Sequence, residues 1–261
     1  MTKVCQQLFD HPNPVALVTG AGAPRVGKAI AETLSKRGYR LAIHSHSSFE
    51  AGNRFSEDLS QRIDSRSYRA DLFHEDQARD LVNQVCSDFG RLDVVVNSAA
   101  IWNPIEMEKV TADDLDRYFK VNTVSSFIVA QQAGAQMVNQ EKGGVIINIG
   151  DWATMRPYCD YAAYFLSKGS IPTMTRMLAV ELATRNSRIR VNAVLPGPVM
   201  IPESMDEVKR REIIDATLLK REGAPQNVAD ACVCLIENDF ITGVTLPVDG
   251  GRSIYSASNP V

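Results

Sequence analysis

Short apolar runs separated by longer stretches of helical period constrain this chain more than any other feature. The runs VALV at Val15–Val18, VVV at 94–96 and VII at 145–147 do not alternate with polar residues. A strand with one wet face would alternate, so these strands need cover on both faces. Strands are expected at Val15–Val18, 41–43, 67–69, 92–96, 145–149, 189–194 and 244–248. Helical patterns lie between them over Val26–Lys36, 50–63, 75–88, 112–139, 160–184, 203–220 and 226–236. That succession predicts βαβ units with right-handed crossovers and a parallel sheet. No Pro/Gly/Ser-rich linker and no internal repeat divides the 261 residues. One α/β domain over 14–252 is therefore expected, flanked by an N-terminal extension at 1–13 and a C-terminal tail at 253–261, both loosely held.

Composition narrows the partners. With 28 Lys plus Arg against 31 Asp plus Glu the formal charge is −3, too balanced for a nucleic-acid or membrane-surface binder. No apolar run approaches the roughly 20 residues that cross a bilayer, and no apolar segment follows Lys3 as in a secretory signal. Cys5, Cys86, Cys159, Cys232 and Cys234 lack paired spacing and a nearby His cluster. They suit thiols of a reducing cytoplasm, with no metal site expected, rather than a disulfide framework.

The first strand runs into TGAGAPRVG at 19–27. Glycines there let the backbone turn tightly against a pyrophosphate, while free N–H groups at the next helix start, near Val26, donate to it. Gly20 and Arg25 belong to this turn, although Pro24 and Arg25 depart from the strict G-x-G-x-x-G spacing. The second strand ends in HSHSS at 44–48, with no acid until Glu50. A carboxylate at that place would hold the ribose hydroxyls of NAD and repel a 2′-phosphate. His46, Ser47 and Ser48, with the Arg25 guanidinium, favour NADP(H) instead.

Tyr164 and Lys168 stand four residues apart, on one face of a helix. An ammonium near a phenol favours the phenolate, so Tyr164 is expected to titrate below its usual value of about 10 and to act as a general acid or base.

Together these pieces resemble the short-chain dehydrogenase/reductase family across residues 14–252. The resemblance rests on TGAGAPRVG, Asp71-Leu72 after the third strand, NSAA at 97–100, Asn122, YFLSK at 164–168, Pro196-Gly197 and VDGG at 248–251. It implies a single-domain Rossmann fold, a doubly wound, mostly parallel seven-stranded sheet with helices on both faces. It further implies that Asp71 and Leu72 contact the adenine and that Asn97, Ser98 and Ala99 line the cofactor. Lys168 would hold the nicotinamide ribose, Pro196 and Gly197 would border the nicotinamide, and Asn122 would position a relay water. A small-molecule substrate and a homo-oligomer, often a tetramer, are implied as well.

The departures from the family pattern narrow the expectation. Most members carry Ser 13 residues before the Tyr, where this chain has Asp151. A desolvated, protonated carboxyl would be a stronger proton donor than Ser. Asp at this place, the Arg25 turn, the His and Ser ending the second strand, and Trp102 after NSAA resemble the pteridine and dihydromonapterin reductases. In those enzymes an aromatic at the Trp102 position sandwiches the pterin. One extra residue lies between Gly20 and Arg25, and Ser47 replaces the Arg some of them carry. Arg156, Tyr158 and Met205 are further pocket candidates. The expected function is thus NADPH-dependent reduction of a carbonyl or C=N centre, in its sharpest form a pteridine. A general carbonyl, 3-oxoacyl or sugar-alcohol oxidoreductase is the alternative, and an NADP-binding sensor without turnover a third reading.

Overall fold

The computed structural model describes residues 2–255. Its strands are β1 (Val15–Val18), β2 (Arg40–Ser45), β3 (Ser65–Arg69), β4 (Val94–Asn97), β5 (Gly144–Ile149), β6 (Ile189–Pro196) and β7 (Thr245–Val248). The helices are α1 (Thr2–Phe9), α2 (Val26–Lys36), α3 (Phe49–Ser60), α4 (Glu75–Phe89), α5 (Ala112–Phe119), α6 (Ser125–Val138), α7 (Ala162–Gly169), α8 (Ile171–Ala183), α9 (Glu207–Asp215) and α10 (Pro225–Glu237). All seven strands are parallel in the order β3-β2-β1-β4-β5-β6-β7. This is the expected doubly wound sheet. The chain winds outward from β1 in one direction and from β4 in the other, so a crevice opens at the carboxyl ends of these two strands.

Two buried clusters cover the two faces. Val15 and Leu17 point into one and Ala16 and Val18 into the other, all at 0% exposure. This double burial is the physical reason for the unbroken apolar runs.

Three expected helices are reshaped. The 112–139 stretch is α5 and α6 joined by a π-helical turn at Lys120–Val124. The 160–184 stretch divides at Ser170, because Pro172 in the first turn of α8 supplies no N–H to the preceding helix. The 203–220 stretch contracts to α9. Asp206 caps its start by accepting from Val208 N at 3.0 Å and Lys209 N at 3.3 Å, and the chain bends where Thr217 Oγ1 donates to Ile214 O at 2.8 Å.

The N-terminal extension is not loosely held. Its residues form α1, which buries Cys5 and Phe9 (1% and 2% exposed) and sets Phe9 edge-on to Tyr39 at 6.2 Å. Arg91 fastens its end by donating to Phe9 O at 2.7 Å and fork-wise to both oxygens of Asp93, of which Oδ2 also accepts from Val15 N at 2.8 Å. The apolar face of α1 was too short for period reading to separate from a polar terminus. Of the C-terminal tail, residues 256–261 lie outside the described residues. Among the described residues no helix is long and apolar enough to cross a membrane, and no three His, Cys, Asp or Glu side chains group to hold a metal. Phe9→Ala should therefore lower unfolding free energy by about 3 kcal/mol in urea titration, whereas a loss below about 1 kcal/mol would mean that α1 does not pack in solution.

Candidate active site

The crevice begins at the turn after β1. Gly20 has φ +69°, and a Cβ there would lie 2.8 Å from Ala99 Cα, so only glycine lets this turn press against the exit of β4. Thr19 Oγ1 secures the same approach by accepting from Ser98 N at 3.0 Å and Ala99 N at 3.1 Å. Ala29 is the first donor into the helix ladder, to Arg25 O at 3.2 Å. The N–H groups of Val26, Gly27 and Lys28 therefore head the helix with no ladder partner. Such a cradle fits an anionic pyrophosphate.

Arg25 is the exposed residue preceding α2, and its guanidinium makes no hydrogen bond among the described residues. His46 and Ser47 are exposed at the end of β2, and Ser48 is half-buried. His44, which sequence reasoning missed, braces the turn. It is 2% exposed, its Nδ1 accepts from Gly20 N at 3.3 Å, and its Nε2 faces Ala70 O at 3.0 Å. Burial pushes it down to about 4, so it braces the turn as a neutral ring. Asp71 closes a turn by accepting from Phe73 N at 3.0 Å, and its other oxygen lies 3.8 Å from His46 Nε2 and 3.9 Å from His74 Nε2.

Two expected lining residues face elsewhere. Leu72 packs its side chain in the core at 7% exposure. Asn97 is 3% exposed and donates to Asn148 Oδ1 at 3.0 Å and Ser126 O at 3.1 Å, so its amide ties β4 to β5 and α6. Asn97 turns inward because it is still in β4, whose side chains alternate, and Leu72 turns into the core from the turn after β3. Ser98 and Ala99, both half-buried opposite Gly20, do border the crevice, as do Pro196 and Gly197 at the end of β6. Gly197 N donates to Val248 O at 2.9 Å, and a Cβ there would lie 2.4 Å from Asp249 Cα.

Beyond β5, Asp151 opens a short 3-10 turn at Trp152–Thr154 and caps it, Oδ1 accepting from Ala153 N at 2.8 Å. Its other oxygen, Oδ2, accepts from Tyr164 Oη at 2.8 Å. Lys168 is 3% exposed and donates to Ile149 O at 2.8 Å. Asn122, fully buried in the π-helical turn, accepts from Ile101 N at 2.9 Å and donates to Ile101 O at 3.1 Å and Ser167 Oγ at 3.0 Å. It locks the loop after β4 to α7.

The electrostatics overturn one expectation. Tyr164 is held well above 10, first by burial and then by the charge and hydrogen bond of Asp151. Its phenol is therefore a held proton rather than a phenolate. The Lys168 ammonium does not reverse this, because it is turned to the Ile149 carbonyl. Burial also raises the Asp151 carboxyl, against the opposing pull of Ala153 N, Tyr164 and Lys168. Lys168 itself is drawn down to about 8 by burial, with Asp151 acting against the shift.

Trp102 is 40% exposed and stacks on Tyr161, with centroids 5.1 Å apart and planes 18° apart. Tyr158 meets Tyr161 and Phe165 edge-on at 5.1 and 4.9 Å. Tyr161 was missed in the sequence, although its place three residues before Tyr164 puts it on the same helical side.

A phosphate-accepting turn at the switch point of a parallel sheet, beside a buried Tyr–Lys pair, defines a dinucleotide-dependent oxidoreductase. The family model described as enoyl-(acyl carrier protein) reductase, of the short-chain dehydrogenase type, matches residues 21–253. Glucose 1-dehydrogenase 2 of Bacillus subtilis is 31% identical, with 94% of this chain and 97% of that protein aligned. A versicolorin reductase of Emericella nidulans is 33% identical, covering 91% and 94%. Among solved structures, a blue fluorescent protein from a metagenomic library in complex with NADPH matches with TM-score 0.84 and 30% identity, over 92% of this chain and 97% of that one. The chain belongs to the short-chain dehydrogenase/reductase family, whose members are NAD(P)-dependent oxidoreductases.

The buried Lys168 gives a signed pH effect in the cofactor-free protein. Below pH 8 both folded and unfolded states carry its proton, and the full cost of burying the charge is present. Between about 8 and 10.5 only the unfolded state keeps the proton, so wild-type stability rises relative to Lys168→Met, by a total on the order of 3 kcal/mol. Denaturant titrations of both proteins across pH 7–11 check this, and a constant difference between them would contradict the buried ammonium.

Proposed function

We propose that this protein is an NADPH-dependent reductase of a carbonyl or C=N centre in a flat ring compound, most sharply a pteridine of the dihydropterin or dihydrofolate type. The observation that carries the reading is the 2.8 Å hydrogen bond from Tyr164 Oη to Oδ2 of the half-buried Asp151. When bound, the cofactor supplies the hydride. The chain's own residues supply the proton. Burial favours the protonated form of Asp151; in that form Oδ2 donates across the same 2.8 Å contact to Tyr164 Oη, which receives the proton while giving its own to the substrate heteroatom. Lys168 supplies positive charge beneath the pair as the phenol releases its proton, and Asn122 keeps α7 in place. The exposed face of Trp102, rigid on Tyr161, is a shelf for a planar ring.

The NADP(H) assignment rests on the open N–H groups of Val26 to Lys28, on the unpaired Arg25 before α2, on His46, Ser47 and Ser48 at the end of β2, and on the NADPH complex of the structural relative. Asp71, Ser98, Ala99, Pro196 and Gly197 border the same crevice and complete the proposed cofactor site, with main-chain groups only from Leu72 and Asn97. A cytoplasmic homo-oligomer, a tetramer by family likeness, accords with the exposed Val124, Leu166 and Val180 along the α6, α7 and α8 region.

A second reading, a general carbonyl, 3-oxoacyl or sugar-alcohol reductase, is favoured by a different contact. Asp151 Oδ1 caps the Trp152–Thr154 turn, a structural duty that would keep an acid there without proton delivery. Purified enzyme assayed with dihydropterins and with simple ketones, each with NADPH, separates the two. Asp151→Ser should cut dihydropterin turnover by about 100-fold and Tyr164→Phe by about 100- to 10,000-fold. Fast ketone reduction without dihydropterin turnover would sink the pteridine reading, and full activity in Tyr164→Phe would sink the mechanism. Arg25→Ala should raise KM for NADPH about tenfold and leave KM for NADH nearly unchanged, as for loss of one guanidinium–phosphate contact; equal changes for both would remove Arg25 from the phosphate site.

A further inference from the structure

The strip that follows β7 carries a second charged feature beside the catalytic turn. The Arg252 guanidinium lies 4.8 Å above the ring of Trp152, the residue after Asp151. Its Nη1 donates to Ile213 O of α9 at 2.5 Å. Arg156, just past the same 3-10 turn, donates from its Nη1 to Arg252 O at 3.0 Å and to Tyr255 O. The two guanidinium-bearing side chains thus lash the catalytic turn, α9 and the residues after VDGG into one rim.

Their chemistry is unbalanced. Every protein acceptor they use is a neutral backbone carbonyl, and neither forms an ion pair among the described residues. The nearest acid on the strip, Asp249, is 7% exposed and is taken up by Gly251 N at 2.9 Å and Ser253 N at 2.7 Å. Burial, followed by the neighbouring Arg156 charge, pulls Arg252 below the usual guanidinium range. Two cations placed together, one of them half-buried, are unfavourable unless something negative joins them. The bonds described use only Nη1 of each. The Nε–H and Nη2–H donors remain, and these parallel pairs form the edge that matches a carboxylate or phosphate in two-pronged geometry. The rim is also continuous with the reaction centre. Tyr158, packed on Tyr161 and Phe165, is held up at about 12 by burial and the Asp151 carboxylate, while Arg252 acts against that rise, so this one phenol senses both the acid and the guanidinium.

We propose that Arg252 and Arg156 form an anion-recognition subsite for the substrate, which carries a carboxylate or phosphate on the part of the molecule distal to the carbon that is reduced. This rests on the reductase reading above for the identity of the ligand as substrate, but the subsite can be tested by binding alone. The Trp102–Tyr161 shelf then takes the planar ring and the arginine rim takes its anionic arm.

Calorimetric titration of the NADP+-loaded protein with 4-acetylbenzoate and with its methyl ester measures the subsite directly. The wild type should bind the carboxylate about tenfold or more tighter than the ester, as for one paired guanidinium–carboxylate contact of about 1.4 kcal/mol. Arg252→Met should reduce this preference to about threefold or less and leave ester affinity within about twofold, while Arg252→Lys keeps an intermediate preference. Equal affinity for the two compounds, no binding of either, or an intact preference in both Arg252→Met and Arg156→Met would overturn the subsite. Ester turnover with NADPH, measured in parallel, keeps the two proposals apart. Reduction of the ester without a carboxylate preference removes the subsite alone, and a carboxylate preference with no turnover of either ketone or of dihydropterins removes the reductase reading alone.

Discussion

A buried carboxylate must have donors for both oxygens, and Asp151 meets that requirement with two pieces of chain that come from different elements. Ala153 N serves one oxygen from the turn after β5, and Tyr164 Oη serves the other from α7. The geometry of the site follows from this. The turn fixes the acid, the acid fixes the phenol, and the helix that carries the phenol brings Lys168 beneath it to the Ile149 carbonyl. Asn122 and Ser167 hold that helix from its other side. Moving any one of these parts would leave a charged or polar group without a partner in a place where water has little access.

The same logic explains why a reductase suits the site in its cofactor-free form. With burial and a neighbouring carboxylate both acting on it, Tyr164 keeps its proton far above neutral pH. A group in that condition is an acid awaiting an acceptor. Lys168, at about 8, stands close to neutrality and can carry its charge or lose it as its surroundings change. Positive charge brought into the crevice by other groups would act on both residues in the direction of releasing protons.

Fold and site were legible in the sequence to different depths. The sheet was read nearly strand by strand, because burial on two faces leaves unbroken apolar runs that no helix of similar length produces. Helix breaks were harder, since the division at Ser170 and the π-helical turn at Lys120–Val124 leave the apolar period almost unchanged. Tyr164 and Lys168 were singled out by spacing, and Asp151 by its place in the family pattern. The direction of the Tyr164 shift was not, because spacing places an ammonium four residues away without saying that it faces a backbone carbonyl while a carboxylate faces the phenol. Asn97 shows a related limit: a motif fixes a position at the crevice edge, and the pleat decides whether the side chain looks in or out. His44 and Arg252 act through contacts 24 and 100 or so positions away in the chain, with Gly20 and Trp152, and nothing in their own neighbourhoods marks those contacts.

The proposed chemistry centres on the proton shared between Asp151 and Tyr164, and the ionisation of that carboxyl reports on it most directly. Carboxyl-carbon NMR of protein labelled at aspartate, with the Asp151 resonance identified by its absence in Asp151→Asn, follows the group through a pH titration. A midpoint clearly above the ordinary 3.8 is expected from its burial. A midpoint at or below 3.8 would mean that Asp151 is a fixed anion, contradicting its role as the source of the proton.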